Sequence, residues 1–469
     1  MNAMYGLKGV ETDFGSKKIN IDVPADSTVI EFKDPQFLPD PAARIKQALK
    51  DPVGSAPLKE LARRGMTVAI GFDDPTRPPL PWQTIIPMVI DELTGCGVRD
   101  KDICLICANG AHRKWRREEL RNFLGAPLFD RFWPSGQVIN HDCQDRNELS
   151  YLGRTDRGTY VEHNRRFVEA DLSIYVGTVS ATYVGGYSGT GAVTGLASAE
   201  SLASHHAHRF WHSPKSTTGD HRTMMYRGVK AQVHDFMEQA MGKRVFYVNS
   251  IVGVGGKIAG VYAGYSPQLE APCWDLADSF SRYPSPQADI MVIGMSDWFA
   301  YGEADNTLIA AIGCLNPPRI WLNRPVLREG GVVIGLNPST GQIDPTMYPS
   351  YQEVIDLYDR HHDISELQQY ELEISSKPKY LDLYRNGNSY HPRHPFWLMY
   401  IGHYTLQRAS AVIMSGTENP GAFRKLGITP AKDFDHAWKI ATSICGDKPV
   451  TVIAPTFWTR RQFKFDVSD

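Results

Sequence analysis

The sequence predicts an α/β protein made of two α/β units, each carrying a mostly parallel, Rossmann-like sheet, with a cleft between them. Three observations predict it. Val- and Ile-rich strand-like runs alternate with helix-period stretches along most of the 469 residues. The length exceeds what one core holds, since domains run to roughly 100–200 residues. Three early strands also run out into polar loops, and in open parallel sheets ligands bind outside the carboxyl ends of the strands.

The elements follow in order. A strand over 67–72 leads to a helix near 82–94, and a strand over 102–108 to a helix near 114–124, the alternation of βαβ units. A strand from 172 runs into a glycine-rich loop, and a helix follows Gly195 until Pro214 stops it. Runs over 245–254 and 258–263, joined through Gly255-Gly256-Lys257, predict a hairpin. The span 265–287, with four prolines, is the expected linker. Beyond it, strands over 290–294, 332–336 and 411–414 alternate with helices over 306–313 and 348–360. The expected division is a cofactor-binding N-terminal unit over 1–275, a C-terminal unit over 285–435, and a segment over 436–469 that returns to the first unit.

Composition narrows the function. Hydrophobic content of 42% with 22% charged residues is that of a globular protein. A net charge of -2 provides no basic footprint for nucleic acid or an anionic membrane. Residues 1–18 lack an apolar segment of the signal-peptide kind, and no apolar run of about 18 residues occurs. A cytoplasmic protein acting on a small molecule is expected, with no nucleic-acid or membrane partner; oligomeric state is not legible. Seven scattered cysteines read as free thiols, and Cys104 and Cys107, three apart in a strand, face opposite sides.

The loops carry the chemistry. In Asp73-Asp74-Pro75-Thr76-Arg77-Pro78, Arg77 offers a rigid fork for a carboxylate or phosphate, which Asp74 can orient. The competing reading is a turn held by its own Asp and Pro. His112 follows Asn109-Gly110-Ala111 at a strand end, where small residues admit a ligand and an imidazole can act as general base. The loop Gly185-Gly186-Tyr187-Ser188-Gly189-Thr190-Gly191 can present backbone N–H groups to a phosphate, though it matches neither the dinucleotide fingerprint nor a P-loop. On the next helix His205, His208 and His212 share one face and His206 points elsewhere; imidazole suits nickel, zinc, copper or iron, and a solvated histidine-rich helix end is the alternative.

In their order these strings resemble the nickel-pincer-nucleotide lactate racemase family. They are Asp74-Pro-Thr-Arg77-Pro, Asn-Gly-Ala-His112-Arg113, the Gly-Tyr-Ser-Gly loop with Gly195-Leu-Ala-Ser, and Val248-Asn249 leading to Gly256-Lys-Ile-Ala-Gly-Val-Tyr-Ala-Gly264. Ala288-Asp-Ile, Arg328-Glu-Gly-Gly-Val-Val-Ile, Ile401-Gly-His403 and Leu426-Gly-Ile extend the resemblance through the second half. It implies a nickel-dependent isomerase, a racemase or epimerase that moves hydride between a 2-hydroxy acid and a nickel-pincer nucleotide (pyridinium-3,5-bisthiocarboxylic acid mononucleotide) held between the units. By the same resemblance His112 is a catalytic acid/base, Arg77 a substrate-binding arginine and Asp74 its motif partner. Thr76, Gly185, Gly186, Ser188, Gly189, Thr190 and Gly191 are cofactor-binding, and His206, with His205 and His208 as rivals, ligates nickel.

The chain also departs from the family. The second catalytic histidine falls at Thr182, whose hydroxyl cannot take up a proton at neutral pH as imidazole does. The tethering lysine falls at Thr190 or Ala192, and no lysine occurs between Asp171 and Pro214, so non-covalent cofactor binding is expected. The glutamine and lysine that hold substrate in the family's second domain fall at Ile309 and Ile312. The expected substrate is therefore a 2-hydroxy acid other than lactate. The alternative is a protein that kept the fold and binds a small ligand or does unrelated chemistry.

Overall fold

The computed structural model describes residues 6–76, 80–180, 189–212, 225–299, 302–303, 305–457 and 463–467. Two parallel-type sheets organise it. The first has six strands in the order Ile258–Gly264, Val245–Val252, Leu172–Thr178, Val68–Asp73, Ile103–Ala108, Val138–Asn140. All neighbours are parallel except the edge hairpin of Val245–Val252 with Ile258–Gly264. Every residue of Leu172–Thr178 and Val245–Val252 is buried, as strands covered on both faces require. The chain leaves Val68–Asp73 toward one edge and Leu172–Thr178 toward the other. The crevice between the ends of these two strands is thus the switch point at which such sheets bind ligands.

The second sheet has eight strands. Ala288–Ser296 sits among Leu327–Leu336, Thr451–Phe457 and the end of Leu7–Gly15, all parallel to it. Ala411–Ser415 and Thr429–Ala431 extend one side, while Lys17–Pro24 and Thr28–Val29 complete the sheet.

This pairing departs from the expected boundaries at both ends of the chain. Residues 7–29, expected with the first unit, are strands of the second sheet, where Val10, Ile21 and Val23 join the core around Ile290 and Ile453. The described parts of 436–469 stay there too: Phe434–Cys445 packs on that sheet, Thr451–Phe457 enters it, and Lys464–Val467 pairs with Arg282–Ser285 and Trp321–Leu322. Local periodicity shows that a strand exists, not which distant strand it joins. The expected linker also contains a helix, Glu270–Ser281. Its Pro272 lies in the first turn, where proline is tolerated, and Cys273, Trp274, Ala277 and Phe280 bury at helical spacing.

One apolar cluster runs across both units, from Ala111, Leu202 and Trp211 to Ile309, Tyr351 and Trp397. The helix His394–Arg408 lies at its centre, buried through His394 to Thr405 and packed on helices Thr307–Leu315 and His208–His212.

Candidate active site

Asp73 and Asp74, adjacent at the end of Val68–Asp73, divide two tasks. The Asp73 carboxylate accepts from Tyr175 Oη at 2.7 Å, Thr178 N at 2.9 Å and Thr178 Oγ1 at 3.0 Å, tying the two strand ends at the switch point together. Asp74, buried, turns the other way. Its Oδ1 accepts from Thr76 Oγ1 at 2.7 Å and its Oδ2 lies 3.0 Å from His112 Nδ1. A carboxylate only accepts, so Nδ1 carries the proton of that bond and Nε2 is the basic nitrogen of neutral His112. Arg77 lies outside the described residues.

A tight turn aims His112. Gly110 takes a φ of 53° and donates from its N–H to Gly195 O at 2.8 Å; a Cβ there would stand 3.0 Å from Thr194 O. His112 N then donates to Asn109 O at 2.8 Å, and Asn109 Nδ2 to Arg113 O at 2.8 Å, so both flanks of His112 are clamped.

Of the glycine loop, Gly185, Gly186 and Ser188 lie outside the described residues, as does Thr182. The described part packs tightly. A Cβ on Gly191 would come 2.5 Å from the Tyr175 hydroxyl, and one on Gly195 would come 2.7 Å from Ala108 Cβ. These two glycines let the loop close over the strand ends. Asn249 Nδ2 holds Gly189 O at 3.0 Å, and Thr190 is buried.

His205 and His208 do not share one face, because the helix Ala199–His205 ends at His206, whose ψ of 14° breaks it before His208–His212 begins. His205 and His206 instead stay together, with Nδ1 atoms 3.1 Å apart, and His206 rests against Trp211 and Trp397. Burial, with His206 beside it, pushes the His205 imidazole well below its ordinary range, and burial with the charge of Lys230 lowers His206 to about 3. Both rings are neutral bases. His208 lies elsewhere, its Nε2 2.6 Å from His403 Nδ1 and its Nδ1 3.2 Å from Gln368 Nε2.

Across from His112 stands a residue that sequence reasoning missed. His394, first in its helix, meets the His112 ring edge to face at a centroid distance of 5.5 Å, with Tyr390 stacked on it at 4.8 Å and Tyr351 Oη 2.6 Å from its Nδ1. The signal was His391-Pro-Arg-His394-Pro, two histidines interleaved with prolines, where proline both breaks the preceding chain and opens a helix.

Residues 14–219 match the lactate racemase N-terminal domain. Lactate racemase of Thermoanaerobacterium thermosaccharolyticum is 22% identical over 468 residues, covering 95% of this chain and 97% of its own. The chain is thus similar to lactate racemases over nearly its whole length, and the family's N-terminal domain is matched over 14–219. Lactate racemase of Lactiplantibacillus plantarum is 27% identical over 256 residues, 53% of this chain and 56% of that protein. The solved lactate racemase apoprotein from T. thermosaccharolyticum superposes with a TM-score of 0.70 at 21% identity, covering 96% of this chain and 98% of that one. A Thermotoga maritima protein superposes at 0.57 with 15% identity, over 94% and 100%.

Within this fold, Ile309 and Ile312 lie on a helix, Thr307–Leu315, that is buried throughout and capped by Asn306, whose Oδ1 accepts from Leu308 N and Ile309 N. The two side chains are part of the core across the units, where the charge of a lysine would be costly. At Ala192, one of the two positions for a tether, the side chain is fully buried.

Proposed function

We propose that this racemase-family enzyme interconverts the stereoisomers of a 2-hydroxy acid other than lactate, using a nickel-pincer nucleotide bound without a covalent tether in the cleft between the units. One observation carries the reading: in a lactate racemase-family chain, the Asp74-held imidazole of His112 stands at the strand ends, against the second unit.

The residues fit such a group. His205 Nε2 is buried with no hydrogen-bond partner among the described residues, and neutral His206 stands beside it. Imidazole nitrogen suits nickel. His208, paired with His403, is the less suited of the three. Gly189, Thr190 and Gly191, with Gly185, Gly186 and Ser188, would enclose the nucleotide. Thr76 has its hydroxyl on Asp74, so its part is to hold that carboxylate.

When bound, the cofactor supplies an acceptor for the hydride on the substrate's C2. The chain's own residues do the rest. His112 takes the hydroxyl proton at Nε2, while Asp74 fixes the ring's tautomer and stands beside the charge that forms. Arg77 receives the substrate carboxylate as a bidentate fork. Ile309 and Ile312, fully buried in the core, offer no polar or charged group to a substrate.

The test is protein produced in a host that makes the cofactor. Elemental analysis should find nickel, the absorbance spectrum should carry the cofactor's bands, and unfolding should release it, leaving a chain with the mass of its sequence. No nickel and no bands would sink the proposal; a mass adduct that survives unfolding would overturn its non-covalent part.

A further inference from the structure

A racemase must exchange a proton with the hydroxyl of either stereoisomer, and Thr182 cannot do this as an imidazole does. His394 stands where such a group is needed. It comes from the opposite unit, and the rings of His112 and His394 are perpendicular at 88°, 5.5 Å between centroids.

The placement of His394 is built rather than incidental. His391 N donates to Ala111 O at 3.0 Å, bonding the residue before His112 to the segment that starts the helix. Gln144 Nε2 lies 2.8 Å from His391 Nε2. Arg393 donates to Ala199 O at 2.8 Å and to Glu200 at 2.8 Å. Tyr384 Oη accepts from Cys143 N at 3.2 Å and donates to Gly110 O at 3.4 Å. The bonds of His391 and Tyr384 tie this segment to the His112 turn, and those of Arg393 tie it to the helix Ala199–His205.

The two imidazoles also differ usefully in their partners. Asp74 only accepts, so it holds His112 in one tautomer. Tyr351 Oη, 2.6 Å from His394 Nδ1, can donate or accept, so neutral His394 can present at Nε2 either a lone pair or an N–H.

We propose that His394 is the second proton-exchanging imidazole of this site, serving the stereoisomer whose hydroxyl faces away from His112. This rests on the functional reading above. For that stereoisomer the O–H bond would break as an N–H bond forms on His394, with the bound cofactor supplying the acceptor for the C2–H electron pair, and the proton would return from the imidazole to the oxygen as that pair is restored to C2. In the competing account, His394 and Tyr351 are only a satisfied core pair.

The two accounts separate in single turnovers of nickel-loaded enzyme, followed by the cofactor's absorbance. The probes are the separate D and L forms of 2-hydroxybutyrate, 2-hydroxyisovalerate and 3-phenyllactate. In His394→Gln, cofactor reduction by one stereoisomer should stay within about threefold of wild type and that by the other should slow by at least about 100-fold, with His112→Gln giving the mirror image. Equal slowing of both forms, or of neither, in a folded and nickel-loaded His394→Gln protein would overturn the assignment. Should that variant not fold, Tyr351→Phe takes its place, with a slowing of about three- to tenfold confined to the same stereoisomer; an equal effect on both overturns it. Wild-type protein that takes up no nickel, or whose spectrum no probe changes, overturns the underlying functional reading and this proposal with it.

Discussion

His112 and His394 meet ring to ring, yet opposite kinds of structure present them. His112 sits on a strand-end turn whose glycine, asparagine and carboxylate partner all lie in short recognisable strings. His394 opens a buried helix, and its place is set by bonds from Ala111, Gln144, Ala199 and Glu200, none of which is near it in sequence. A turn is a local solution and leaves a local signature. A docked helix start is a long-range solution, visible only once the units have packed.

The largest effect expected on this comparison is from its local side. His112→Ala should lower turnover by about 10²- to 10⁴-fold while leaving nickel content unchanged; steady-state rates with parallel elemental analysis check both halves. Thr182→His sharpens the contrast, because Ile309 and Ile312 still stand where the resemblance expects a glutamine and a lysine: chiral analysis of the product should find no lactate racemisation in that variant.

Packing around the turn comes next. Gly191→Ala drives a methyl to 2.5 Å from the Tyr175 hydroxyl, which Asp73 holds, and should cost about 1–3 kcal/mol, read as a lower denaturant midpoint. Arg77→Lys keeps the charge and loses the fork, a loss of roughly 1–3 kcal/mol in transition-state binding, measured as kcat/KM. Unchanged kcat/KM would remove Arg77 from the site.

The smallest effect per residue is acid sensitivity. Burial lowers His141 to about 4 and His163 to about 3. Each stays neutral in the fold, whereas unfolded histidine takes a proton near pH 6.5, so the unfolded chain binds more protons below that pH. Stability is therefore full above pH 6.5 and falls toward pH 4, by on the order of 1–2 kcal/mol per histidine at pH 5. Denaturant midpoints at pH 7 and pH 5 measure the drop, and His141→Gln, which removes one titrating group, should flatten it.

Much of this was legible in the sequence. The βαβ alternation, the hairpin and the strands ending at Asp73 and Ala108 follow from side-chain period and turn residues, which act locally. The junction of Asp74 with His112 followed only from the rule that strand ends converge. What escaped depended on distance. The helix Glu270–Ser281 was hidden by the four prolines of the span around it, only one of them inside the helix, and the break at His206 by a composition that favours helix on both sides. His394 was hidden because its partners arrive from four other segments. Glycines that suggested a phosphate nest include two, Gly191 and Gly195, whose lack of a side chain makes room for Tyr175 and Ala108.

The strands over 7–29 have a consequence for how the chain is made and how it can be recombined. Thr28–Val29 pairs with Thr451–Phe457, so strands made before the six-stranded sheet wait for one made after it before their own sheet closes, whereas every strand of the six-stranded sheet has emerged by Gly264. The second unit is thus discontinuous in the gene. A single junction placed between the units would strand its opening hairpin on the wrong half, and exchanging that unit between relatives takes two crossovers, one on each side of the six-stranded sheet.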